Sequence, residues 1–186
     1  MTSTGKLIVI AGPSAVGKGT LATHIVSNYP GFSLSVSATT RAPRAGEVNG
    51  VSYFFLNSEQ FEQEIESGMM LEWAKVHGAN LYGTPREPVE LALSKGLNVI
   101  LEIDVQGAFQ VREAFPEALL VFVTPPSFEE LRARLDKRGT ESEEDKQIRL
   151  ETAKSELAQA VEFDFSVVND EVARCAKEVV ELIQSA

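Results

Sequence analysis

Nine residues near the amino end, Gly12-Pro13-Ser14-Ala15-Val16-Gly17-Lys18-Gly19-Thr20, follow directly on the apolar run Leu7-Ile-Val-Ile10. Glycines stand where a backbone must turn tightly and aim its N–H groups inward at an anion. A lysine adds a movable positive charge, and the helix that follows presents its positive end to the same point. Leu21, Ile25 and Val26 supply the apolar face of that helix. Strand, loop, lysine and helix together predict a cradle for the phosphates of a nucleoside triphosphate, with residues 12–20 as its lining. One position departs from the usual pattern: Gly19 follows Lys18 where a Ser or Thr commonly offers a hydroxyl to Mg²⁺. Thr20 is one residue late for that task and is expected at phosphate. Magnesium is then expected to be held mostly by phosphates and water.

Three more apolar runs read as buried parallel strands: 99–101 with Ile103, 119–123, and 165–168. Helix-like sequence follows each, the pattern of a sheet with crossover helices. Ser127 and Glu130 have the spacing of a capping box and open a helix over 127–138 carrying Phe128, Leu131 and Leu135 on one face. A last helix over about 171–184 buries Val172, Cys175, Val179 and Leu182, so Cys175 is expected to be plain core. The segment 34–92 differs in character. It is rich in Ser, Thr, Gly, Tyr and Arg, with short strand-like pieces at 53–56 and 70–73. It reads as an inserted lobe. The polar stretch 138–145 reads as a mobile lid leading into the helix that contains Arg149.

The chain has 186 residues and a net charge of −10, which argues against coating nucleic acid, because that needs a basic face. A small anionic ligand needs only a local basic cluster. No run approaches the roughly 20 apolar residues of a membrane span, and no basic-then-apolar export signal opens the chain. A single cysteine suits a reducing compartment, so the cytoplasm is expected.

The stretch Thr39-Thr-Arg41-Ala-Pro-Arg44-Ala-Gly-Glu47 adds more specific information. Together with the cradle, Tyr53, Leu71-Glu72-Trp73-Ala74, Tyr82-Gly83-Thr84 and Glu102-Ile-Asp104-Val-Gln-Gly107, it strongly resembles guanylate kinase over residues 6–186. The resemblance implies an α/β fold: a P-loop NTPase-type parallel sheet flanked by helices, with an inserted mixed α/β monophosphate-binding lobe and a short lid. One domain is expected, with its core at about 1–33, 93–137 and 147–186, the GMP lobe at 34–92 and the lid at 138–146. The implied reaction takes ATP, with Mg²⁺, and GMP to ADP and GDP, dGMP serving as an alternative acceptor.

Arg41 and Arg44 sit beside a Pro-Gly turn, and two guanidiniums there suit an anion gripped by charge-assisted N–H bonds. By resemblance they hold the GMP phosphate with Tyr53 and Tyr82; surface arginines and core tyrosines are the plainer alternative. Guanine offers N1–H and N2–H on one edge, and a carboxylate accepts both, whereas adenine would present a lone pair. Glu72 matches the family's base-reading acid, with Ser37 and Thr84 as hydroxyls near that edge. Spacing alone would make Glu72 a solvated strand carboxylate. Glu102 and Asp104 alternate onto one face at the carboxyl end of a strand, where ligands bind in open α/β sheets. The resemblance gives Asp104 to the GMP base or its arginines. Glu102 is assigned to magnesium, through water, with an ion pair to a nearby arginine as the alternative.

Arg134 and Arg138 lie one helical turn apart, and by resemblance they and Arg149 reach the phosphates. An ordinary Glu130–Arg134 helix pair is the competing reading. Neither His24 nor His77 is assigned to catalysis. Lys18, Arg41, Arg138 and Arg149 are the expected catalytic set. Two rival functions remain: a guanylate-kinase-like scaffold that binds a protein, disfavoured by the intact Gly12, Gly17 and Lys18, and a kinase for another monophosphate such as AMP, disfavoured by Glu72 and Ser37.

Overall fold

The computed structural model describes residues 4–76, 80–137 and 143–186, without the side chains of 143–145. Its centre is a parallel sheet of β1 (Leu7–Ala11), β2 (Phe32–Leu34), β7 (Asn98–Glu102), β8 (Leu119–Thr124) and β9 (Phe165–Val168), in the order β2-β7-β1-β8-β9. The four expected strands are present. The fifth, β2, is a three-residue edge strand without a continuous apolar run, which leaves little signal in sequence.

The uninterrupted hydrophobicity of β1 has a direct structural cause. Ile8 and Ile10 point into one core and Leu7, Val9 and Ala11 into another, so both faces of the strand are covered. On the first side lie α1 (Lys18–Asn28), α5 (Phe128–Lys137), α6 (Glu143–Ala158) and α7 (Val172–Ser185), through Leu21, Leu131, Ala153 and Val179 among others. Cys175 is buried there, and burial pushes its thiol pKa up to about 11. On the second side α3 (Arg86–Ser94) and α4 (Val105–Ala114) contribute Val89, Leu93, Val105, Ala108 and Val111.

Between β2 and α3 the chain builds a second, four-stranded sheet from β3 (Ala38–Thr39), β4 (Phe54–Phe55), β5 (Met70–Val76) and β6 (Asn80–Pro85), ordered β4-β3-β6-β5. The helix α2 (Ser58–Glu66) packs on it through the fully buried Phe61, beside Ala38 and Met70. Asn57 and Gln60 cap α2 reciprocally. At α5 only half of the expected box forms. Ser127 Oγ accepts from the Glu130 N–H, while the Glu130 carboxylate turns to Arg134 instead.

Because the central strands are parallel, their carboxyl ends open on one side of the molecule. The loop after β1, Glu102 at the end of β7 and Asn169 after β9 therefore face a common space, where ligands bind in such sheets.

Candidate active site

The loop after β1 needs its glycines for stated reasons. Gly12 and Gly17 have φ of 143° and 99°, in the left-handed region open to glycine. A Cβ on Gly12 would lie 2.4 Å from the Val123 carbonyl oxygen, and one on Gly17 would lie 2.6 Å from Asn169 Nδ2. Ala15 also has positive φ, at 64°, a strained conformation held by the surrounding turn. Lys18 Nζ donates to the Gly12 carbonyl at 2.6 Å and to that of Pro13 at 3.2 Å, so the ammonium lies across the loop. A Cβ on Gly19 would stand 3.2 Å from Glu102 Oε2, so a side chain there would press on this carboxylate.

Basic residues converge on the loop from the helices. Arg149 of α6 donates to Ser14 Oγ at 3.1 Å. Arg134 of α5 donates to the Val16 and Asn169 carbonyls, each at 3.1 Å, and also forms the helix pair with Glu130. Arg138, His77 and most of the expected lid lie outside the described residues.

The second sheet assembles another group. Arg41 follows β3, and its guanidinium sits 5.4 Å from the Tyr53 ring centre while Nε donates to the Tyr82 hydroxyl at 3.2 Å. The Tyr53 and Tyr82 rings meet edge to face at 6.0 Å. Arg44 is exposed at the turn. Glu47, to which the sequence reading gave no role, grips Arg41 through both oxygens at 2.8 and 3.0 Å and accepts the Arg44 N–H at 2.7 Å. The bridge holds the Glu47 carboxyl below the usual range. The Arg-x-x-Arg-x-x-Glu spacing was its only signal.

Glu72 and Thr84 face each other across β5 and β6, and Thr84 Oγ1 donates to Glu72 Oε1 at 2.7 Å. Both are buried, at 7% and 0% exposure, so the solvated-carboxylate alternative is excluded. Burial, reinforced by the charge of Asp104, pushes the Glu72 pKa up to about 7 against the opposing Thr84 hydrogen bonds. Ser37 immediately precedes β3, which pairs with β6 next to Thr84. Asp104 has a structural task that spacing did not reveal: it caps α4, accepting the Gly107 N–H at 2.7 Å. Glu102 faces the loop after β1.

Two further residues escaped the sequence reading. Asn169 is buried, and its Nδ2 donates to the Val16 carbonyl at 2.8 Å; a polar residue closing an apolar strand was the available clue. Glu156 shares a face of α6 with Arg149 and Ala153 and lies within the electrostatic reach of Lys18 and Asp104. Burial raises its pKa.

The described residues hold no cluster of three or more His, Cys, Asp or Glu able to bind a metal. One carboxylate, Glu102, borders the loop with Ser14, Lys18 and Thr20. A single hard oxygen donor beside a phosphate-binding loop fits a magnesium ion held chiefly by phosphates and water.

A strained glycine-rich loop with its lysine, at the carboxyl end of a parallel sheet, defines a P-loop nucleotide-binding protein. The family model "Guanylate kinase" matches residues 4–186. Guanylate kinase of Leifsonia xyli subsp. xyli is 57% identical over 95% of this chain and 70% of its own length. That of Rubrobacter xylanophilus is 52% identical over 97% and 94%. The crystal structure of guanylate kinase from Anaplasma phagocytophilum superposes with a TM-score of 0.75 at 32% identity, covering 99% of this chain and 87% of that one. The chain belongs to the guanylate kinase family.

Proposed function

We propose that the loop after β1 and the second sheet are the two halves of one phosphotransfer site, in which the γ-phosphoryl group of ATP passes to GMP, giving ADP and GDP for purine nucleotide recycling. The carrying observation is Glu72, a buried carboxylate hydrogen-bonded to Thr84 with a pKa near 7. A pKa that high means its surroundings compensate the charge incompletely. The N1–H and N2–H of guanine are donors suited to complete it, and a site built for those protons rejects a base lacking them by roughly 10⁴. The same edge is present in dGMP, which is therefore also an acceptor.

Residues 12–20 cradle the ATP phosphates, with Lys18 at the transferring group and Arg134, Arg138 and Arg149 on the triphosphate side. Arg41, Arg44, Tyr53 and Tyr82 hold the GMP phosphate and offset its repulsion from ATP. Ser37, Thr84 and Asp104 complete the base pocket with Glu72. A magnesium ion bound with ATP would be held by phosphates, water and Glu102, and would supply neutralisation of the developing charge. The acceptor phosphate is largely ionised at neutral pH, so no general base is needed. The protein's work is alignment, exclusion of water and electrostatic stabilisation. Closure of residues 34–92 and of the lid at 138–146 would exclude that water.

No helix among the described residues is long and apolar enough to cross a membrane. A single cysteine and a net charge of −10 fit a cytoplasmic enzyme that does not bind nucleic acid. The test is an acceptor panel with ATP and GMP, dGMP, AMP, CMP or UMP. Transfer to GMP and dGMP alone is expected. Preference for AMP would sink the base-reading argument, and transfer to none would favour the scaffold.

A further inference from the structure

β5 is an edge strand of the second sheet, so its outer backbone groups have no strand partner on that side. One side chain from the central domain fills that gap. Gln110 of α4 accepts the Trp73 N–H through Oε1 at 3.0 Å and donates Nε2 to the Trp73 carbonyl at 3.0 Å. The amide thus makes the paired exchange that a neighbouring strand would make. Trp73 is adjacent in sequence to Glu72. One helical turn before Gln110, on the same face of α4, stands Gly107. A Cβ on Gly107 would lie 3.0 Å from Glu72 Oε2, so any side chain there would crowd this carboxylate.

We propose that Gly107 and Gln110 form a seat for the base-reading strand: Gln110 fixes β5 against α4 through both backbone groups of Trp73, and Gly107 admits the Glu72 carboxylate beside it. Gln110 is then a positioning residue for guanine specificity, acting through Glu72. It also ties the base pocket to a helix of the central domain, so the acceptor is located relative to the cradle and not only within its own sheet. The proposal rests on the reading of Glu72 as the guanine-binding acid.

The test uses Gln110→Met, which keeps the side-chain length and removes both hydrogen bonds, alongside Glu72→Gln and the double variant. Steady-state kinetics with GMP and AMP are read together with Tm. For Gln110→Met the KM for GMP should rise about tenfold, the scale of two neutral hydrogen bonds. Its GMP-to-AMP ratio of kcat/KM should fall, with the KM for ATP within about twofold of wild type. In the Glu72→Gln background the same change should add little, because its effect passes through that carboxylate. A lowered Tm with wild-type GMP KM and selectivity would reduce Gln110 to a structural tie and overturn the proposal, as would full additivity with Glu72→Gln. If Glu72→Gln itself leaves selectivity intact, the underlying assignment of Glu72 fails instead.

Discussion

Lys18 and Glu72 carry the two ends of the proposed chemistry, and each allows a decisive substitution. Lys18 lies across the loop carbonyls of Gly12 and Pro13, so its ammonium is already at the cradle. Lys18→Ala should lower kcat at least about a hundredfold, the scale for losing a preorganised transition-state charge, with a circular dichroism spectrum like that of wild type. Turnover at the normal rate would remove the cradle from the mechanism. Glu72 carries a pH signature. Its raised pKa means the folded chain holds a proton that the unfolded chain has shed between the ordinary carboxylate range and about pH 7. Stability from this group is therefore greatest on the acid side and falls as pH rises through that window. GMP binding has the opposite sign, because guanine's donors need the carboxylate. The KM for GMP should rise as pH falls below about 7, and Glu72→Gln should abolish that dependence beyond the ionisation of GMP's own phosphate. An unchanged profile in the variant would show that Glu72 does not titrate in binding. At this scale the sequence was legible where one residue has one task. It was silent on the capping of α4 by Asp104, which depends on where the helix begins, and on the approach of Glu102 to Gly19, which brings the end of β7 to the start of α1.

Among the elements, the cradle is held from behind. Two donors, Asn169 Nδ2 and Arg134 Nη1, meet on the carbonyl of Val16, and Asn169 occupies the space beside Gly17. Asn169→Ala should destabilise the fold by about 1 kcal/mol, the lower range because Arg134 still satisfies that carbonyl. It should also raise the KM for ATP while leaving the KM for GMP unchanged, as steady-state assays would measure. Equal effects on both substrates would argue against a local brace. Elements with continuous apolar runs or a 3.6-residue period were readable: β1, β7, β8, β9, α5 and α7 appear within about two residues of their expected ends. Of the short pieces, β4 and β5 fall where strands were expected, at 53–56 and 70–73, but β2 and β3 were not foreseen. β2 and β3 have three and two residues, too few for any period, and exist because a neighbour supplies the pairing. The Gln110–Trp73 bond pair is likewise a tertiary match, invisible to local pattern.

For the molecule as a whole, the proposed transfer requires two anion sites on separate sheets to meet. One sheet ends in the glycine-rich loop; the other brings Arg41, Tyr53 and Tyr82 together and buries Glu72 against Thr84. The division into a parallel sheet and an insertion could be read from the change of composition after residue 34, since buried strands and a polar lobe use different residues. How the two parts approach one another could not, because tertiary contacts such as those between Gln110 and Trp73 leave no local pattern. Arg41 also lies against Glu47 here, so on the proposed function an incoming phosphate would share or displace that carboxylate. The most direct measurement is a crystal structure of the enzyme with GMP and a non-hydrolysable ATP analogue. The expected result has the monophosphate between Arg41, Arg44, Tyr53 and Tyr82, with N1–H and N2–H of guanine on Glu72 and the triphosphate in residues 12–20. GMP bound elsewhere, or with its base turned away from Glu72, would contradict it.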